Sequence, residues 1–399
     1  MIYYASLALF GLGLGIASIF ALPQDNAYVR DLETSTQSVL GMKTDTSREI
    51  IGFLPFWLVN QADPDYHSYT TKLSYFGVGL NGDGTIQEFV NPGETEPGLQ
   101  TLSKPSFRAD LATAREQGVT LSLVVHLMDK NTILELLTKP EEHAENMMEE
   151  VSPIMDEYGF TDLNIDIESV GYKPQETRDQ FTAFVAAVRN EVDKRELGTM
   201  GVDVIAKSLV EPQLTDVAAL EPYVDYIVLM TYDFHYVGSY IAGPVAPLKG
   251  AGIKREYDVE STIQEALKVL PREKVIMGIP LYGYEWDTIT TVPGGPTVQG
   301  TGKVLTHKQV GTLLEECEEE EMCVTGFDEE YLQPYIVKPA NDGNGDYYRQ
   351  IFYEDHDSMK QKLDLADTYN IGGVALWALG YEQDDMTDEL RSYKLRMEE

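Results

Sequence analysis

The sequence predicts an α/β protein: a closed (β/α)8 TIM barrel with a small α+β insertion between its seventh and eighth strands. Two observations carry this prediction. Strand-like and helix-like segments alternate eight times between residues 50 and 379, and repeated β-α units of this kind build a parallel sheet that closes at eight. The residues with chemical potential, Trp57, His126, Asp166, Glu168, Tyr232, Asp233, Tyr282 and Trp377, fall at the carboxyl ends of those strands, where barrel enzymes carry their sites.

The elements follow in order. The first strand, 50–54, ends in Pro55-Phe56-Trp57, and the second, 72–80, runs into the turn Asn81-Gly82-Asp83-Gly84. A helix over 106–117 leads to the third strand, 119–126. Helical patterns over 131–158 lead to the fourth, 162–168. An amphipathic helix, 174–194, precedes the fifth strand, 199–206, and a short helix, 212–220, precedes the sixth, 226–232. A helix over 259–270 gives way to the seventh strand, 275–281, and one over 358–369 to the eighth, 373–379.

The stretch from about 284 to 350 is too long for a strand–helix connection. It holds a helix, 306–320, and strand-like runs at 331–337 and 347–353, and it reads as one wall of a cleft. Asp342-Gly343-Asn344-Gly345-Asp346 superficially resembles a calcium loop. It lacks the glycine at position six and the glutamate at position twelve, so it reads as a hairpin turn. No metal site and no cofactor are expected. Cys317 and Cys323 are the only cysteines; a disulfide and a pair of free thiols are both open readings.

Residues 1–22 read as a signal peptide or signal anchor. The apolar run 2–22 is long enough to span a bilayer, and Ile19 sits where a cleavage site wants a small residue, which favours an uncleaved anchor. Residues 23–48 form a polar linker, and the barrel takes 49–399. The folded part is therefore expected outside the cytoplasm, secreted or anchored on the outer face of the membrane, and monomeric. A formal net charge of -36 repels phosphate backbones, which argues against nucleic acid and leaves uncharged polymers as partners. The 24 tyrosines offer aromatic faces that suit sugar rings.

Phe160 to Glu168 carries the chemistry. On a strand, Asp162, Asn164, Asp166 and Glu168 share one face, and Leu163, Ile165 and Ile167 the other. Alternation alone also describes a strand with one wet face. Carboxylates set side by side at the end of a barrel strand instead point to an acid–base site, because burying them unpaired is costly.

These segments resemble family 18 glycoside hydrolases, the chitinase-like barrels. The fourth-strand signature D-x-x-D-x-D-x-E of that family is matched by Thr161, Asn164, Asp166 and Glu168. Met230-Thr231-Tyr232-Asp233 is similar to its M-x-Y-D, Gly278 to Gly283 to its G-x-P-x-Y-G, and Gly373 to Trp377 to its eighth-strand segment. Residues 51–57 and 377–382 are closest in character to the spore-cortex and germination glycosidase branch. The chain departs from the signature at Thr161, which replaces an acid, and at Asn164, which replaces another.

The resemblance implies retaining, substrate-assisted hydrolysis of β-1,4-linked N-acetylglucosamine polysaccharides, either chitin or peptidoglycan. It implies Glu168 as the proton carrier, with Asp166 and Tyr232 holding the substrate acetamido group. It further implies Asn164, Asp233, Met230, Trp377, Tyr282 and Trp57 as sugar-binding positions. The alternative from another class is a catalytically silent glycan-binding barrel tethered at the cell surface. Loss of Glu168 would mark it, and Glu168 is present.

Overall fold

Eight parallel strands close on themselves in the computed structural model, which describes residues 48–251, 257–319, 323–341, 346–382 and 384–398. The expectations for 1–22 and most of the linker lie outside the described residues, as do residues 342–345 of the 342–346 turn. Among the described residues no helix is long and apolar enough to cross a membrane.

The barrel strands are Glu49–Pro55, Lys72–Gly79, Thr120–Leu127, Asp162–Ile167, Thr199–Ile205, Tyr226–Met230, Val275–Pro280 and Gly373–Trp377. Each pairs with its sequence neighbour, and the first pairs with the eighth, except that the insertion separates the seventh from the eighth in the chain. The outward residues of the strands, such as Leu163, Ile165 and Val202, are fully buried under the helices, which is why the strands read as apolar runs. Two of the covering helices, Val259–Ala266 and His356–Tyr369, start with the same device. Asp258 and Asp355 accept from the backbone N–H groups of Ser261 and Ser358, whose hydroxyls face back to the cap.

The inside of the barrel is divided. Ile51, Phe53, Phe76, Val124, Val228, Ile276 and Ala375 form an apolar cluster with Tyr226, and Trp377 packs on it from above. Against them stand Lys72, Asp162, Asn164, Asp166 and Asp203, all buried. At the lower end the Lys72 ammonium lies 2.9 Å from Asp162 and 4.0 Å from the centre of the Tyr226 ring, and the Tyr226 hydroxyl donates to Asp162 at 2.8 Å. Thr199 also donates to Asp162. Asp162, which reads from sequence as one of a row of acids, is thus a neutralised ion of the barrel floor. Gly201 makes room for this arrangement: a Cβ there would stand 2.2 Å from the Tyr226 ring.

The insertion is a five-stranded antiparallel sheet with one helix. Its strands lie in the order Lys303–Thr306, Tyr282–Thr288, Asp346–Tyr353, Gln333–Asn341 and Val324–Asp328. It therefore starts at Tyr282, two residues before the expected boundary. Asn341 pairs with Asp346, so the strands flanking the 342–346 segment form an antiparallel pair. Cys317, on the helix His307–Glu319, and Cys323 form a disulfide. The insertion is tied to the barrel by a fully buried trio: Lys362 reaches both oxygens of Glu354 at 2.7 and 2.9 Å, and Gln333 donates to Glu354 at 2.8 Å. Gln333 in turn accepts from the Ala246 N–H at 3.2 Å. Those residues come from a barrel helix, the position just past one insertion strand, another insertion strand and the segment after the sixth barrel strand.

Candidate active site

The fourth strand sets the site. From Asp162 to Ile167 every residue is buried, and Glu168 is the first that solvent reaches. Its N–H donates to the Leu127 carbonyl at 3.0 Å, which extends the strand pairing to the rim. Burial pushes the Glu168 carboxyl up to about 7, with Asp233 adding to the push. Asp166, one layer deeper, is held far above the ordinary carboxylate range by burial and then by the charges of Glu168 and Asp203. One of its oxygens is buried with no hydrogen-bond partner. Burial disfavours the charged form, and neighbouring acids disfavour it again, so Asp166 and Glu168 titrate as a linked pair.

Two residues past the end of the sixth strand, Tyr232 turns its hydroxyl toward the acids. Burial raises it well above its ordinary value, and Asp203, Glu168, Asp166 and Asp233 all add to the rise. Gly278 permits this placement, since a Cβ there would lie 2.8 Å from the Tyr232 ring. Asp233 adopts φ 57°, an uncommon choice for a residue with a side chain. Two tyrosines hold it there: the hydroxyls of Tyr282 and Tyr284 both donate to its Oδ1, the latter at 2.8 Å. Backbone strain maintained by side-chain contacts is common at functional sites.

Trp377 closes the apolar side. Its ring is 5.8 Å from Phe53 and 5.3 Å from Phe76, its carbonyl accepts from the Leu281 N–H at 2.7 Å, and the Trp377–Ala378 peptide is cis. Phe76 is a hub, touching Trp57 edge-on at 5.8 Å and stacking on His126 at 4.3 Å. His126 lies beside Asp166 in the strand register, and burial pushes it down to about 4, so it is neutral at neutral pH. Trp57 is 46% exposed, an outer aromatic face on the rim.

The structure thus brings Asp166, Glu168, Tyr232 and Asp233 together, with Trp377 alongside and Trp57 at the edge. Met230 ends the sixth strand, half-buried. Two expected sugar contacts lie elsewhere. Asn164 is 0% exposed and donates its amide to Asp203 at 2.8 Å, because the alternation that aims Glu168 at the mouth puts Asn164 two layers down. Tyr282 is 4% exposed with its hydroxyl committed to Asp233, so it supports the site from behind. Asp203, Tyr284 and Phe76 were not singled out in the sequence. The inward period of two on the fifth strand was the available signal for Asp203. Among the described residues no group of three or more His, Cys, Asp or Glu side chains converges to hold a metal.

Comparison with known proteins places the chain. The profile of "Glycosyl hydrolases family 18" matches residues 109–382. A cortical fragment-lytic enzyme of Bacillus anthracis is 23% identical over 326 residues, covering 78% of this chain and 65% of that enzyme. This chain therefore spans less than two thirds of that relative. Among solved structures, a group IV chitinase of Ostrinia furnacalis in complex with allosamidin superposes with a TM-score of 0.73 at 19% identity, covering 88% of this chain and 99% of that one. The spore cortex-lytic enzyme SleL of Bacillus cereus gives 0.65 at 21%, over 87% and 74%. At such identities the structural likeness is one of fold.

Proposed function

The chain belongs to family 18 of the glycosyl hydrolases, and on that footing we propose that it cleaves β-1,4-linked N-acetylglucosamine glycans, chitin or peptidoglycan, with retention of configuration. One observation carries the reading: a partly solvated glutamic acid, pushed up to about 7, stands over a buried aspartate at a barrel mouth. Such a group holds a proton near neutral pH and can deliver it.

In this reading Glu168 protonates the glycosidic oxygen. The 2-acetamido oxygen of the substrate attacks the anomeric carbon, and the leaving sugar departs with the proton. Tyr232 donates its hydroxyl to that acetamido oxygen and aims it. Asp166, whose buried oxygen has no partner in the protein, accepts the acetamido N–H and stabilises the positive charge that grows on the closing ring. Water then attacks the anomeric carbon and opens the ring, giving up a proton to the Glu168 carboxylate, which restores the acid. Asp233 binds a sugar hydroxyl or supports the site through its tyrosines, Trp377 floors the sugar, and Trp57 offers an outer platform. The names of the relatives, a cortical fragment-lytic enzyme and a chitinase, agree with such a substrate class. The apolar run 2–22 and the disulfide support action outside the cytoplasm.

The test is product analysis. Acetylated chitooligosaccharides and purified peptidoglycan are incubated with the protein, reducing ends are counted, and the anomer first released is read by NMR. A β-anomer from acetylated substrates and no cleavage of a fully deacetylated polymer are expected. Efficient cleavage of the deacetylated polymer removes the internal nucleophile from the account and refutes it. Binding without turnover across pH favours the silent glycan-binding barrel.

A further inference from the structure

Asp203 is an acid that the reaction above leaves unused. It lies on the fifth barrel strand and is 4% exposed. Its inward direction follows from alternation, since Gly201, two residues earlier, faces the Tyr226 ring inside the barrel. Asn164 Nδ2 donates to Asp203 Oδ1 at 2.8 Å. An amide N–H can only donate, so this contact fixes the Asn164 amide and leaves its buried oxygen without a partner.

The groups facing Asp203 come from two other strands. Asp162, Asp166 and Glu168 face it from the fourth, and Tyr226 and Tyr232 from the sixth and its extension. Lys72, the cation inside the barrel, is already engaged by Asp162. Asp166, Glu168 and Asp203 therefore share a low-dielectric space without a countercharge of their own. Like charges so placed do not all ionise together.

We propose that Asp203 is a positioning residue of the hydrolytic centre, a third acid that shares protons with Asp166 and Glu168 so that a negative charge settling on it leaves the proton on Glu168. The contact with Asn164 gives that charge a place to rest, because the amide N–H stabilises the carboxylate. The kinetic half of this proposal rests on the glycosidase reading; the thermodynamic half does not.

Three proteins decide it: the parent, Asp203→Asn, and the swap Asn164→Asp/Asp203→Asn, which returns one acid to the other side of the same contact. Activity on acetylated chitooligosaccharides is followed against pH. Asp203→Asn should move the alkaline limb of kcat/KM down by about one pH unit and lower kcat at pH 7 by about 5- to 10-fold. The swap should bring the limb back, which a purely structural role would not do.

Melting temperature is followed against pH in parallel. Burial holds Asp203 above its ordinary value, so the parent binds an extra proton when folded and loses stability as pH rises; asparagine carries no such loss. The melting temperature of Asp203→Asn relative to the parent should therefore climb from pH 5 to pH 8. An unmoved limb in Asp203→Asn, a swap that behaves like Asp203→Asn, or a flat melting difference overturns the proposal. A parent without turnover sinks the glycosidase reading instead, and the melting comparison still judges Asp203.

Discussion

Replacing Glu168 by glutamine should make the protein a poor catalyst and a more stable fold. Burial pushes this carboxyl from 4.5 to about 7. At pH 7 an ordinary glutamate would carry its proton in only about one molecule in 300, whereas here about half are protonated. Keeping the ionised form in this place costs roughly 3 kcal/mol once the pH is well above 7, and solvent at the partly exposed head trims that to about 2. The sign follows from the raised value: the folded state binds the extra proton, so stability is full below pH 4 and falls as pH rises toward 7. Glutamine has no charge to desolvate. Glu168→Gln should match the parent at pH 4 and exceed it by about 2 kcal/mol at pH 8, a rise of about 3 °C in Tm by calorimetry for a barrel of this size. Turnover should fall at least about 100-fold while glycan binding persists. Equal melting of the two proteins at pH 8 would refute the claim that the fold holds this acid against its preference.

Other substitutions test the rest of the arrangement. Tyr232→Phe keeps the ring and removes the donor, so kcat should drop about 100-fold with melting unchanged, read by steady-state kinetics beside a thermal scan. Lys72→Met leaves Asp162 buried without its cation and should lower stability by about 3–5 kcal/mol in denaturant titration; adding Asp162→Asn should recover much of it. Lys362→Met strands Glu354 in the same way and should cost a similar amount, about 3–5 kcal/mol, measured by urea unfolding.

The barrel was legible because parallel strands buried on both faces are short apolar runs. Their ends were blurred by a residue or two, as where the sixth strand stops at Met230 although the motif continues to Asp233. The Asp162 to Glu168 row was legible through its period of two. What each member does was not, because depth within the barrel separates the floor ion Asp162 from the mouth acid Glu168, and depth leaves no mark on alternation. Asp203 was missed since its partner Asn164 is 39 residues away and a lone acid in an apolar strand looks unremarkable by itself. Three insertion strands were also missed. Tyr282–Thr288 hid behind the seventh-strand motif, and Lys303–Thr306 and Val324–Asp328 are edge strands whose exposed residues resemble loops. The charged C-terminal helix Asp384–Glu398 escaped notice because it buries only a narrow stripe, Met386, Leu390 and Tyr393.

The buried trio of Lys362, Glu354 and Gln333 has a practical bearing on engineering. The insertion cannot be transplanted as the contiguous segment 282–353, since its anchoring cation sits on the following barrel helix and its acid one residue past the last insertion strand. A graft that ends between Glu354 and Lys362 would import an uncompensated acid at the seam, and one that keeps the lysine while replacing Glu354 would strand the opposite charge. Chimeras of this barrel should therefore be cut beyond residue 362.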